Sequence, residues 1–331
     1  MKNLTIQQGL NKKQPKVLSV APMMDWTDRH CRYFLRLFNQ HVHLYTEMVT
    51  TGALLHGDRQ RFLRFAEQEH PVILQVGGAE PSDLARCSQF AQDYGYDAVN
   101  LNVGCPSDRV QKNKIGACLM AEPNLVAECI STMQAAVKIP VTIKHRIGID
   151  DLNDYQQLYR FVETVAQTGC QTFIVHARIA ILQGLSPKEN REIPPLRYED
   201  VYQLKKDFPH LDIHINGGIK TVEQIAEHWQ YTDGVMIGRE AYHNPYLLAQ
   251  ALSLWGEDSP LSPHQILEQY LPFMEQELAN GVPLMQMTRH ILGLFQGMTG
   301  ARKWRQHLST YAHQKHQGIA LVKEAASFVQ D

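Results

Sequence analysis

A cysteine between Gly104 and Pro106, in the stretch NLNVGCPSDRVQKNKIGACLM, is the side chain of this sequence best placed to move a proton. A thiol on such a loop can give or take a proton, whereas most cysteines are inert small apolar groups; the residues alone leave both readings open for Cys105. Cys31, Cys87, Cys118, Cys129 and Cys170 keep the inert reading, and with no C-x-x-C pair the six supply neither a zinc site nor a disulfide framework. No metal is expected.

Lys144 and His176 close two short β-branched runs, VTIKHRIG and TFIVHAR. On one rim, a cation and an imidazole can hydrogen-bond the pyrimidine-like edge of a flavin and stabilise its anionic reduced form. Gln75 and Asn102, near the ends of two further runs, offer amides to the same ring. Read singly, Lys144 can equally reach water and His176 can satisfy a core carbonyl. Gly217 and Gly218 in INGGI, with Gly238 and Arg239 in GVMIGR, form a phosphate cradle, because glycines let backbone N–H groups approach anionic oxygens; the alternative is a plain tight turn.

The elements that must position these groups recur about every 25 to 35 residues: VLSVAPM, HLYTEM, VILQVGG, DAVNLNVG, VTIKHRIG, TFIVHAR, DIHINGG and DGVMIGR. Between them run helix-period segments such as 81–94, 124–137 and 158–168. Strands separated by helices pair in parallel, and eight such units close a (β/α)₈ TIM barrel, an α/β fold whose site lies at the strands' C-terminal ends. No G-x-G-x-x-G follows the first strand, which disfavours a doubly wound sheet.

The period-2 signal ends near Trp255, and Gly256 to Pro260 reads as a linker. The expected plan is a catalytic barrel over 1–255 and an all-helical domain over 262–331, with helices at 264–278, 284–296, 301–311 and 318–329. With 331 residues and 44% hydrophobic content the chain can bury a large core. It shows no membrane-span stretch and no signal-peptide core, so a cytoplasmic location is expected. A formal net charge of −2 excludes indiscriminate coating of nucleic acid, so any RNA grip must be local. From Val282 onward six Lys/Arg (Arg289, Arg302, Lys303, Arg305, Lys315, Lys323) face two acids, which makes the tail the best basic patch. Arg302 and Arg305 share a helix face, and Lys188 and Arg191, after the sixth strand, can add a contact; arginines so placed are more often merely solvated.

In the motifs APMMDWTDRHCR, LQVGG, NLNVGCPSDRVQKNKIGACLM, IKHRIGID, HAR, NGGI and GVMIGR, taken in this order, the chain resembles the tRNA-dihydrouridine synthase family, and most of all its bacterial A-type branch. The likeness spans about Val17 to Tyr242, and GARKWRQHL in the tail is similar to the same branch. The resemblance implies FMN as cofactor, NADPH as reductant, tRNA as partner and Cys105 as the active cysteine. It places Pro22, Met23 and Met24, after Ala21, under the isoalloxazine; Gln75, Lys144 and His176 at its polar edge; and Asn216, Gly217, Gly218, Gly238 and Arg239 on ribityl and phosphate. It further suggests D-loop positions 20 and 20a. On this view hydride reaches C6 of a flipped uracil, Cys105 acts as a thiol to protonate C5, and Asn102 is a candidate to hold the base.

Three other readings fit parts of the pattern. A flavin dehydrogenase of a free pyrimidine, such as dihydroorotate, explains the flavin site but gives the basic tail no purpose. A lyase using Lys144 as a Schiff base needs no flavin. A non-catalytic RNA-binding module leaves the proton donor unused. No nicotinamide fingerprint distinguishes NADPH from NADH, and the helical tail covering one side favours a monomer.

Overall fold

The computed structural model describes residues 16–107, 114–257, 259–314 and 316–330. The first 15 residues, six positions of the cysteine loop, and Lys315 and Asp331 of the basic-tail count lie outside the described residues.

Every one of the eight runs forms a strand: β1 Val17–Val20, β2 His43–Thr50, β3 Val72–Gly77, β4 Ala98–Val103, β5 Val141–Arg146, β6 Thr172–His176, β7 Asp212–Asn216 and β8 Gly234–Ile237. All neighbours are parallel, and β1 pairs with β8 from Val17↔Gly234 to Val20↔Ile237, closing the barrel. β3 and β4 are buried throughout, as continuous apolar runs covered on both faces must be.

Three of the surrounding helices show why the sequence folds this way. In Pro81–Asp93 the buried positions are Leu84, Cys87, Ser88 and Ala91; in Pro123–Ala136 they are Val126, Cys129, Ile130 and Met133; in Tyr155–Ala166 they are Leu158, Phe161, Val162 and Val165. Each set repeats i, i+3, i+4, i+7, the stripe that seats a helix on the barrel. Cys87 and Cys129 are therefore packing groups, and burial pushes both thiols up to about 12.

The tail forms helices Pro263–Ala279, Leu284–Ile291, Ala301–Tyr311 and Ile319–Ala326. The second stops at Ile291 rather than at 296, and just beyond it Gly293 packs so close to the barrel that a Cβ there would sit 2.4 Å from the His243 carbonyl oxygen. Trp304 is fully buried, donates from Nε1 to the Ile291 carbonyl at 3.2 Å and meets Phe295 edge-on, so the tail's apolar side chains join the barrel's core. Among the described residues no helix is long and apolar enough to cross a membrane.

Asp28 joins tail to barrel. Its Oδ1 caps the helix Arg29–Arg36 by accepting from His30 N and Cys31 N at 3.0 Å each. Its Oδ2 accepts from Arg289 at 2.5 Å and from His290 Nε2 at 3.0 Å, while Tyr270 donates to the His30 carbonyl at 3.1 Å. Burial alone would raise the Asp28 carboxyl, but His290 and the capping amides outweigh it and hold the group well below the usual carboxylate range. A depressed folded pKa gives stability that is complete above the unfolded value near 4 and fades as pH falls below it. Asp28→Asn is expected to cost about 2 kcal/mol at pH 7. In thermal melts its deficit against the parent should shrink as pH is lowered from 5 to 3; a constant deficit would show that the charge does not hold the tail.

Candidate active site

An open cavity of about 2190 Å³ lies over the C-terminal ends of the strands. Pro22, Met23, Met24, Gln75, Asn102, Cys105, Lys144, His176, Arg191, Asn216, Gly217, Gly218, Gly238 and Arg239 all line it. Arg302 and Arg305 do not: Arg302 is exposed and Arg305 half-buried on Ala301–Tyr311, while Trp304 between them points into the core. Lys188 is exposed and also outside the lining.

A chain of buried amides runs beneath the cavity floor. Asn100 on β4 donates to Thr142 Oγ1 on β5 at 2.9 Å, Gln75 on β3 donates to Asn100 Oδ1 at 2.8 Å, and Asn102 donates to Gln75 Oε1 at 2.8 Å. Asn102 Oδ1 then accepts from Gly104 N at 3.1 Å and from Cys105 N at 3.0 Å. The Cys105 carbonyl accepts from Ala117 N at 2.9 Å, and the half-buried thiol lies 3.5 Å from Ser107 Oγ. Asn102 thus spends its carbonyl and one amide hydrogen on placing the cysteine loop and keeps one N–H for whatever enters. Gln75, 1% exposed, is mostly committed within the protein.

The neighbouring wall is cationic. Lys144 donates to Asn216 Oδ1 at 3.2 Å, and Asn216 donates to the Met236 carbonyl at 2.8 Å. Burial, reinforced by Arg146, lowers the Lys144 ammonium to about 7. His176 is held well below its ordinary value by burial and then by Arg146 and Lys144, so it is a neutral imidazole at neutral pH.

Next to it the backbone lies bare. Gly217 (φ 127°) and Gly218 (φ 73°) occupy conformations that L side chains rarely adopt. A Cβ on Gly217 would meet the His176 ring at 3.0 Å, and one on Gly218 would meet Leu196 at 2.6 Å. At Gly238 nothing lies within 4 Å of an added Cβ, so its backbone opens onto free space. Arg239 pairs with Glu192 at 2.6 Å across the mouth.

These features fit a flavin mononucleotide: a cation and a neutral imidazole for the electron-accepting edge of the ring, and an open glycine backbone beside arginines for the phosphate. Sequence reasoning missed Arg178, which lines the cavity and donates to the Glu192 carbonyl at 3.3 Å; its position inside HAR was the available signal. It also missed Thr46, whose Oγ1 accepts from Gln75 N at 3.0 Å, and Asn100, Thr142 and Arg146, because their roles depend on partners that only the closed barrel brings near. Arg289, counted only in the basic tail, lines the cavity with Met285 and Gln286, so the tail supplies part of its wall.

Comparison with known proteins follows the same lines. The family described as dihydrouridine synthase matches residues 19–330. A tRNA-dihydrouridine(20/20a) synthase of Pseudomonas syringae pv. tomato is 60% identical over 324 residues, covering 97% of this chain and 95% of that protein. Proteins of the same name from Vibrio cholerae and Pseudomonas aeruginosa are 58% and 60% identical over 311 and 309 residues, with 93% of this chain covered in both and 95% and 93% of the relatives. On that match, which runs from β1 through the helical tail, the chain belongs to the dihydrouridine synthase family.

Proposed function

We propose that this chain is a tRNA-dihydrouridine synthase that uses FMN and NADPH to reduce the C5–C6 double bond of D-loop uridines, at positions 20 and 20a. The observation that carries this reading is the convergence of a loop thiol, a buried ammonium, a neutral imidazole and a bare glycine backbone on one cavity. The target positions follow the names of the relatives.

FMN, which Pro22, Met23 and Met24 would hold, would supply the hydride chemistry at C6 of the uracil, with NADPH as the reductant. The protein's own groups do the rest. Cys105 delivers a proton from Sγ to C5, where negative charge develops as C6 is reduced; the leaving proton makes the thiol, not the thiolate, the working form. Asn102 fixes the height of that thiol through two backbone N–H groups. Its remaining N–H points to a role in holding the base. Lys144 balances negative charge at the polar edge of the ring, and His176 contributes a hydrogen bond without adding a second cation. Asn216, Gly217, Gly218, Gly238 and Arg239 hold the ribityl and phosphate.

A uridine must leave its stack to reach this floor, and the polynucleotide is then gripped through phosphates rather than by extended base reading. Arg191 at the mouth, Lys188 on the same loop, and Arg302 and Arg305 on the tail are the proposed phosphate contacts. On this view residues 1–255 carry the chemistry and 262–331 the RNA, with a monomer as the working unit. The open mouth lined by Arg178, Arg191, Arg239 and Arg289 favours a polynucleotide over a free pyrimidine.

Cys105→Ala is expected to retain FMN and its reduction by NADPH while slowing dihydrouridine formation about 100-fold or more. Mass spectrometry of modified transcript, with the flavin spectrum as control, checks this; loss of flavin would count against the proton-donor role. Lys144 gives a pH signature as well. Its ammonium loses its proton near pH 7 in the free protein, so FMN affinity of the apoprotein should fall between pH 7 and 9, by at most about tenfold per unit, above the phosphate's own titration. In Lys144→Met the fluorescence-titrated affinity should be flat over that range, and a flat parent profile would remove Lys144 from the ring edge.

A further inference from the structure

Arg146 sits two residues beyond Lys144 on β5, and it is opposite His176 in the β5–β6 register. It is 2% exposed, and among the described residues no carboxylate pairs with it. A buried guanidinium without an acid is costly unless its hydrogens are otherwise used. Here three of its five N–H groups go to carbonyls. Nε donates to Gly104 O at 2.9 Å, and Nη1 donates to Ile179 O at 2.7 Å and Asn190 O at 3.0 Å.

These carbonyls belong to two separate loops. Gly104 immediately precedes Cys105. Ile179 and Asn190 lie on the loop after β6, on which Lys188 and Arg191 flank Asn190. Asn190 is fully buried and ties that loop to itself: its Nδ2 donates to Ile181 O at 2.9 Å and Leu185 O at 3.1 Å, and its Oδ1 accepts from Ile181 N at 2.7 Å. The planar guanidinium therefore plugs a closed loop on one side and holds the cysteine loop on the other. A lysine gathers its three donors on one nitrogen and lacks the extended planar fork whose Nε and Nη1 reach the two loops separately.

We propose that Arg146 is a positioning residue that locks the Cys105 loop and the Ile179–Arg191 loop into one unit, so that seating RNA on the second loop sets the thiol over the base in the first. This rests on the reductase reading above, and it adds a coupling between RNA grip and proton delivery. A purely structural arginine would lower every activity alike; a positioning arginine acts only where the thiol acts.

The test uses flavin-loaded enzyme, reduced anaerobically with NADPH and mixed with unmodified tRNA transcript, in the parent, Arg146→Lys, Cys105→Ala and the double variant. Arg146→Lys should be reduced by NADPH within about twofold of the parent rate, should reoxidise about 30-fold more slowly at saturating tRNA, and should need about fivefold more tRNA for half-saturation. In the Cys105→Ala background the same change should alter the saturating rate by less than about threefold. Asn190→Ala, which loosens the loop without touching the barrel, should likewise slow the saturating rate only when the thiol is present, and it decides the matter alone if Arg146→Lys does not hold flavin. Effects that multiply fully on Cys105→Ala, or an Asn190→Ala change confined to half-saturation, would overturn the coupling. A parent enzyme that tRNA does not reoxidise would overturn the reductase reading and the coupling with it.

Discussion

Two backbone N–H groups, those of Gly104 and Cys105, converge on the single side-chain oxygen of Asn102, and the placement of the thiol depends on that oxygen staying where it is. It stays because Asn102 is the last member of a buried amide chain reaching back through Gln75 and Asn100 to Thr142, across three adjacent strands. Buried amides are costly when unpaired, so each member fixes the rotamer of the next. The barrel's closure sets the register that brings these four residues into line, and the chemistry at the rim inherits the rigidity of the sheet.

The same burial that demands pairing also tunes charge. Lys144, His176 and Arg146 crowd one wall with no acid beside them among the described residues, and desolvation presses all three toward their neutral forms. His176 yields fully, Lys144 is left near neutrality, and Arg146 keeps its charge by spending its hydrogens on carbonyls. Lys144 and His176 are therefore incomplete without an electron-rich ligand, which is the electrostatic reason that a reduced flavin suits them. Asp28 illustrates the opposite case: surrounded by donors from the helix it caps and from the tail, it stays ionised and anchors the tail beside the mouth.

The strand ends were legible from the chain because apolar β-branched runs break into Pro22, Gly104, Gly217 and Gly238 at the rim, and both signals are local. The apolar helix stripes were legible for the same reason. Partnerships were not. Gln75 and Asn102, Arg146 and Asn190, and Asp28 and Arg289 are joined only by three-dimensional register, and no spacing rule along the sequence announces them. Charge counting found the basic tail, yet of its cations among the described residues only Arg289 lines the cavity, while Arg302 and Arg305 flank the buried Trp304 on another helix.

The most direct measurement of the central claim is the visible spectrum of the NADPH-reduced protein under anaerobic conditions as unmodified tRNA transcript, free uridine or orotate is added. The account predicts that the oxidised flavin spectrum returns with tRNA and stays absent with either small pyrimidine. Return of the spectrum with orotate or uridine alone would contradict it, and a purified protein with no flavin spectrum at all would contradict it more fundamentally.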